Sequence, residues 1–405
     1  MERNIVYFLG AGLTKSLEVK PKRVPLMNDF IAVLADRLED ETILTHLAHL
    51  EIADLFQTSC PEARNLAIEI LVKDNNSRAI RDQLREALKN RPPENIEALV
   101  EHAARVGSYR GTNPLTYLDR SELDDPETGA MVVKYFALGE APLRFNFAIN
   151  SYFDWVGWDL KLDLLQRFVS RQLALPDTTH TFISFNYDLA LDRCLQIGSS
   201  GQWDFGDGYG FPIRHFLTTD QAEKRPSRIQ TINASRQVDR KIQLLKPHGS
   251  LNWFLPFDGS YQFHSEPVVV ILDPEMRISY CSSYNIDKVG FPNGSTKNIG
   301  LFLYPPLERK RGYEFIRRIW DEETEAVRAA NEIYIIGWSL PMTDAGQTTL
   351  ITEALKGRRQ LLEQITVVNY GAPSGYFDRI ASLVQVDQAR IIRHNHGFED
   401  YVASM

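Results

Sequence analysis

Five short segments of the chain end in residues suited to holding a polar ligand or moving a proton. The first is Gly10-Ala11-Gly12, followed by Thr14, directly after the apolar run Ile5 to Leu9. A glycine-rich turn after a buried strand lets backbone amides and a helix N-terminus approach a pyrophosphate. A plain tight turn accounts for the same glycines, and Lys15 stands where the dinucleotide fingerprint has its third glycine. The second segment is Ser184-Phe185-Asn186-Tyr187-Asp188. Asn186 offers a donor and an acceptor, and Asp188 two acceptor oxygens, suited to ribose hydroxyls or an attacking water. Capping of the following helix is the alternative role for Asp188. The third, Lys246-Pro247-His248-Gly249-Ser250, carries a side chain that exchanges protons near neutral pH beside a glycine that admits a ligand to the backbone. The fourth and fifth, Gly337-Trp338-Ser339 and Val368-Asn369-Tyr370, end apolar runs as a nucleotide-binding rim would, or as ordinary strand-to-loop transitions do.

All five need strands to carry them. The continuous apolar run Ile5 to Leu9 reads as a strand buried on both faces, and the pattern of short apolar strand followed by a turn repeats at Thr181 to Phe185, Lys241 to Leu245, Val268 to Leu272, Ile333 to Ile336 and Ile365 to Val368. Helical periodicity follows at Leu189 to Leu195, Thr343 to Leu355 and Ser374 to Leu383. This βα alternation predicts an α/β fold with a doubly wound, mostly parallel sheet, in which ligands collect at the C-terminal strand ends. Between the first two strands lies a mainly helical stretch with segments at Phe30 to Leu38, Arg78 to Leu88, Ile96 to Val106 and Leu160 to Leu173. Breakers at Arg91-Pro92-Pro93 and Asp124-Asp125-Pro126 separate its helices. The expected division is a core of residues 1–25 and 176–405 with a helical insertion at 26–175. Gly198 to Gln237, with Trp203 to Gly210, reads as loops or a hairpin over a site.

Taken in order, G-A-G-x-[ST], F-N-Y-D, H-G, G-W-S and V-N resemble the NAD-binding elements of the sirtuin fold, and in particular the sirtuin-like NADases of bacterial antiphage defence. The resemblance covers residues 5–16, 180–193, 241–253, 333–345 and 365–370 and leaves out the helical stretch. It implies that Gly10, Ala11, Gly12 and Thr14 hold the pyrophosphate, and that Ser339 and Asn369 line the adenosine side. Asn186 and Asp188 would face the nicotinamide ribose, His248 would be the catalytic histidine, and Gly249, Gly337 and Tyr370 would complete the NAD-binding set. The implied activity is cleavage of NAD, as substrate, to nicotinamide and ADP-ribose, with no metal. Val24-Pro25-Leu26-Met27-Asn28-Asp29-Phe30 only faintly echoes the substrate-closing segment of deacylating sirtuins, and their four-cysteine zinc module is missing. Water is therefore the expected acceptor, with NAD-dependent protein deacylation and non-catalytic NAD or ADP-ribose sensing as the alternatives. An NADase must be held off until triggered. The resemblance accordingly implies a homo-oligomer or a defence partner such as a HerA-type ATPase or a short Argonaute.

Composition restricts the remaining classes. Three widely spaced cysteines, Cys60, Cys194 and Cys281, build neither a disulfide framework nor a paired zinc site, which points to a reducing cytoplasm. The start of the chain lacks a signal-peptide pattern, and no stretch reaches the roughly 20 apolar residues of a membrane span. A net charge of -8 repels phosphate backbones, so no direct nucleic-acid site is evident. Arg309-Lys310-Arg311 and Arg317-Arg318 read as a solvated loop and helix face. His394 and His396, at i and i+2, do not have the spacing of a metal site.

Overall fold

The computed structural model describes residues 3–20, 22–26, 29–53, 55–56, 60–92, 99, 148–149, 152, 159–205, 208–211, 213, 215–220, 225–231, 241–257, 267–270, 289–290, 296–303, 313–341, 344–356, 362–385 and 390–405. The chain divides into two compact units, Met1–Lys22 with Gly157–Met405, and Arg23–Val156. Among the described residues no helix is long and apolar enough to cross a membrane.

The first unit holds twelve described strands in chain order: β1 (Arg3–Leu9), β2 (Thr178–Ser184), β3 (His215–Asp220), β4 (Arg225–Thr231), β5 (Ile242–Leu245), β6 (Gly249–Phe257), β7 (Val268–Val270), β8 (Val289–Gly290), β9 (Thr296–Leu303), β10 (Glu332–Ile336), β11 (Gln364–Val368) and β12 (Ile391–His394). Six form a sheet in the order β12-β11-β10-β1-β2-β5, and every pairing in it is parallel. Numbered among themselves these strands run 6-5-4-1-2-3, the doubly wound, Rossmann-like order, with its reversal between β1 and β10. Burial on both faces explains the unbroken apolar run Ile5 to Leu9, and all of β5 and β10 are buried too, Gln243 and Glu332 included.

The run at Val268 belongs elsewhere. β7 lies in a second sheet of order β4-β3-β7-β6-β9-β8, antiparallel to β6 and parallel to β3, and residues 271–272 fall outside the described set. An apolar β-rich run has the same pattern in either sheet, so its partner was not readable from it. The sixth parallel strand is instead β12, whose half-exposed Ile-Ile-Arg-His pattern is that of an edge. It contains His394, whose ring packs on Tyr401 at 4.7 Å. The stretch Gly198 to Gln237 does contain a hairpin, β3 with β4. Its aromatic part is core rather than cover: Trp203, Phe205, Tyr209 and Phe211 are buried, and Tyr209 and Phe211 meet Trp253 edge-on at 5.1 Å.

The helices expected near Leu189, Thr343 and Ser374 form at Ala190–Gly198, Ala345–Lys356 and Tyr376–Val384, residue 343 itself lying outside the described set. Helix Leu162–Leu173, expected within the insertion, belongs to the sheet-bearing unit, which resumes at Gly157 rather than at residue 176. Periodicity reveals a helix and its apolar face, not the surface that the face meets. Here Phe168 meets Tyr7 edge-on at 5.9 Å, and Tyr7 stacks on Phe182 and Tyr334 across the sheet. Arg317 and Arg318 are exposed on helix Glu314–Ala329, as a solvated face should be.

The Tyr7 cluster contains a buried histidine. The Tyr7 hydroxyl donates to Gln172 Oε1 at 2.8 Å and lies 3.0 Å from His180 Nδ1, so the hydrogen-bond network assigns the ring proton to Nδ1. His180 Nε2 is buried without a hydrogen-bond partner among the described residues. Burial, aided by the Arg3 charge, pushes the His180 pKa down from 6.5 to about 4. The unfolded chain therefore takes up this proton at higher pH than the folded one. This contribution to stability is fully present above pH 6.5 and is lost as pH falls from there to about 4, at about 1.4 kcal/mol per pH unit. Urea midpoints measured across that window should fall less steeply in His180→Asn than in wild type. Identical slopes would show that His180 does not couple to folding.

In the second unit, the segment expected at Phe30 to Leu38 is a short helix, Phe30–Leu34, continued by a 3-10 turn, Ala35–Arg37. Helices Glu41–Ile52, Pro61–Leu71 and Arg78–Lys89 follow, the last capped by Ser77, whose hydroxyl accepts from Ile80 N at 3.4 Å. Glu51 and Arg91 form a buried ion pair at 2.8 Å, and the Arg91 guanidinium lies 4.4 Å from the Phe56 ring centroid. The helix expected at Ile96 to Val106, apart from Leu99, lies outside the described residues, as do the breaker at Asp124, the basic run at Arg309 and Cys281.

Candidate functional site

The sheet reversal places the ends of β1 and β10 side by side, with β2 and β5 next to β1. All five sequence segments lie at C-terminal strand ends of this parallel sheet or in the turns that follow them. Two of those turns interlock. Gly10 N donates to Ile336 O at 3.0 Å and Gly12 N to Gly337 O at 2.9 Å, while Gly337 N reaches Val368 O at 3.0 Å. A Cβ at Gly10 would lie 2.5 Å from Trp338 Cα, one at Gly12 2.9 Å from Gly337 Cα, and one at Gly337, whose φ is +63°, 2.2 Å from Leu13 N. Close packing of two backbones thus accounts for the glycines, and the amides of Gly10 and Gly12 are committed to carbonyls of β10 and its turn. Gly12→Ala should cost about 1–3 kcal/mol through this overlap, measured as a lowered denaturation midpoint. An unchanged midpoint would mean that the turns separate freely.

Asn186 follows β2 and ties that strand to the first turn. Its Nδ2 donates to Gly10 O and to Thr14 Oγ1, both at 3.0 Å, and its side chain remains partly exposed. Thr14 Oγ1 in turn donates to Asp188 Oδ2 at 2.7 Å, and Asp188 Oδ1 accepts from Ala190 N at 3.0 Å. Asp188 is buried one residue before Leu189, the N-cap of helix Ala190–Gly198, and the bond from Ala190 N is a local turn bond at the entry to that helix.

Behind this loop lies an ion pair that sequence reasoning did not single out. Lys246 is fully buried and donates to Asp188 O at 2.6 Å, Asp192 Oδ2 at 3.2 Å and Tyr187 O at 3.4 Å. Asp192 also accepts from the Tyr209 hydroxyl, which receives Asn252 Nδ2 at 3.0 Å. One ammonium therefore holds the backbone on the C-terminal side of Asn186. The available signal was a lysine directly after an apolar strand and an aspartate in the first turn of the helix that follows Asp188.

His248 sits in the β5–β6 turn, where Gly249 has a φ of +87°. Its ring centroid lies 5.3 Å from Phe185 and 6.4 Å from Tyr187, the two neighbours of Asn186 in the chain. The ring is only 1% exposed. Its Nε2 is 3.5 Å from Oδ1 of Asp344, whose Oδ2 accepts from Trp338 Nε1 at 2.8 Å. Trp338 stacks on Phe185 at 4.5 Å. Asp344 was not anticipated, because an aspartate just before a helix reads as a cap.

On the β10–β11 side, Ser339 is exposed and Asn369 half-buried, with its Oδ1 accepting from Tyr370 N at 2.9 Å. The Tyr376 hydroxyl donates to Trp338 O at 2.6 Å, and burial pushes its pKa up to about 12. Tyr370 is 82% exposed. Arg379, also not anticipated, donates to Leu340 O at 3.3 Å and Ser339 O at 3.4 Å, bracing a turn in which Leu340 takes a left-handed φ of +55°.

No protein-family model matches the chain, and no curated protein matches it. A cleft of about 380 Å³ between helices Glu314–Ala329 and Ala345–Lys356, lined by Arg317, Trp320, Arg328 and Glu353 among others, shares no residue with the strand-end cluster. The cluster is the stronger candidate, because polar side chains from β2, β5 and the β10 turn converge there at the sheet reversal.

Proposed function

We propose that this chain cleaves NAD at the nicotinamide glycosidic bond, releasing nicotinamide and ADP-ribose. The observation that carries the proposal is the convergence at the reversal: Asn186 bonded to the Gly10 turn, with His248 packed against the residues on either side of Asn186. The order of strand-end motifs that resembles sirtuin-like NADases supports the choice of NAD.

Nicotinamide leaves as a neutral molecule from a cationic ring, so the enzyme mainly has to place a nucleophile and stabilise positive charge developing on the ribose. Asn186 orients the ribose hydroxyls and water, and His248 accepts the proton of the attacking water. With His248 only 1% exposed, contact with substrate requires a side-chain displacement at its cover. In this reading Ser339, Asn369 and Tyr370 meet the adenosine half. NAD depletion by such an enzyme suits a bacterial antiphage effector in the cytoplasm, held off by self-association or by a partner such as a HerA-type ATPase or a short Argonaute.

The test is incubation of the purified chain with NAD, with and without an acyl-lysine peptide and the product of a neighbouring gene, following nicotinamide and ADP-ribose by chromatography. Peptide-independent release of both products is expected. Release only with the peptide would replace hydrolysis by deacylation, and NAD binding without turnover in every arm would leave a sensor.

A further inference from the structure

We infer that Asp344 is the positioning residue for His248, holding the imidazole by its Nε2 edge so that Nδ1 is the base. The inference rests on the role proposed above for His248. Two side chains of the connection after β10 lead to His248: Trp338 Nε1 donates to Asp344 Oδ2 at 2.8 Å, and Asp344 Oδ1 lies 3.5 Å from His248 Nε2. Asp344 is 1% exposed, so its carboxylate is removed from water and takes its stabilisation from protein groups, the Trp338 indole among them. A helix cap needs only one carboxylate oxygen at a backbone amide. Here one oxygen receives the Trp338 indole and the other faces the imidazole.

Trp338 is itself fixed, stacked on Phe185 at 4.5 Å and on Phe8 at 5.6 Å. The separation of 3.5 Å exceeds that of a formed charge-assisted hydrogen bond, which lies at about 2.7–2.9 Å. It is the distance of a pair that tightens when the imidazole becomes cationic. In the proposed reaction the glycosidic C–N bond breaks with its electron pair going to the nicotinamide nitrogen. Water oxygen bonds the ribose carbon, and the water proton passes to Nδ1. The resulting imidazolium is stabilised by Asp344 until its proton leaves to solvent.

Among the groups that face His248 are the Asp344 carboxylate from the β10 side and the Phe185 and Tyr187 rings from β2 and its loop. Lys246, on the same turn as His248, is directed instead at Tyr187 O, Asp188 O and Asp192. The Asp344 carboxylate favours the protonated form of the ring.

The decisive experiment compares wild type, Asp344→Asn and Trp338→Phe in two readouts. NMR titration of the His248 imidazole, assigned by loss of its signal in His248→Gln, needs no substrate. Steady-state NAD kinetics across pH supply the second. Asp344→Asn should lower the His248 pKa and move the acid limb of kcat to lower pH with it. It should also reduce kcat about 100-fold, with KM changed less than about twofold. Trp338→Phe, which keeps the carboxylate but releases one tether, should reduce kcat less and shift the titration in the same direction; it decides the matter if Asp344→Asn does not fold. An unshifted His248 titration in the folded variants overturns the inference whether or not NAD is cleaved. Absence of NAD cleavage by wild type, together with a shifted titration, overturns the proposed function and leaves the pairing standing.

Discussion

His248→Ala should lower NAD turnover by about 100- to 10,000-fold, the range that a positioned general base contributes. Asn186→Ala should give a loss at the lower end of that range. The two losses differ in kind. Removing His248 removes the proton acceptor, so kcat falls while NAD still binds the remaining strand-end groups. Removing Asn186 also releases the Gly10 carbonyl and the Thr14 hydroxyl that its amide spans, so KM should rise as kcat falls. His248 is buried, and its alanine variant leaves a cavity beside Phe185 and Asp344; circular dichroism and a denaturation midpoint must accompany the kinetics. Folded His248→Ala protein with wild-type turnover would remove His248 from the mechanism, and folded Asn186→Ala protein with unchanged kcat and KM would do the same for Asn186.

Lys246→Ala should destabilise the first unit by about 3–5 kcal/mol, the cost of leaving one charge of a buried pair without its partner. Asp192 is 1% exposed and would keep only its contact to the Tyr209 hydroxyl among the bonds described above. The carbonyls of Tyr187 and Asp188 would lose their ammonium donor at the same time. Paired replacement, Lys246→Met with Asp192→Leu, should recover most of the loss, because an apolar pair of similar volume carries no desolvation penalty. Urea denaturation of the wild type, the single variant and the double variant gives the comparison. A single-variant loss below about 1 kcal/mol would mean that water reaches the ammonium. Because Lys246 holds the backbone beside Asn186, a partly folded Lys246 variant should lose turnover as well as stability.

Much of the sheet was legible because a strand buried on both faces is rich in apolar residues at successive positions. β1 announces itself by the unbroken run Ile5 to Leu9, and β2, β5, β10 and β11 by shorter apolar stretches that Thr181, Gln243, Glu332 and Thr366 interrupt or flank; the polar or glycine residue that ends each stretch marks the edge where ligands gather. β12 escaped notice because an edge strand half-open to water has no such run, and β7 was assigned to the wrong sheet because burial leaves no mark of the partner. Helix Leu162–Leu173 shows the same limit, since its periodicity is complete while the sheet that it covers is named only by the Phe168–Tyr7 contact.

At the site, the sequence by itself determined which residue types stand at which strand ends: Gly10, Gly12, Asn186, Asp188, His248, Gly337 and Asn369. Only the tertiary structure decided what those residues touch. It spent the glycines on the packing of two backbone turns, tied Asp188 to Thr14 and to the Ala190 amide, and brought Lys246 to Asp192 and Asp344 to His248. The physical reason is that local sequence carries strand and helix signals through periodicity and steric preference, whereas a charge partner across the sheet is chosen by burial. A lysine or aspartate looks solvated in sequence until the fold removes its water, and then it must sit where the opposite charge or a hydrogen-bond partner has been placed.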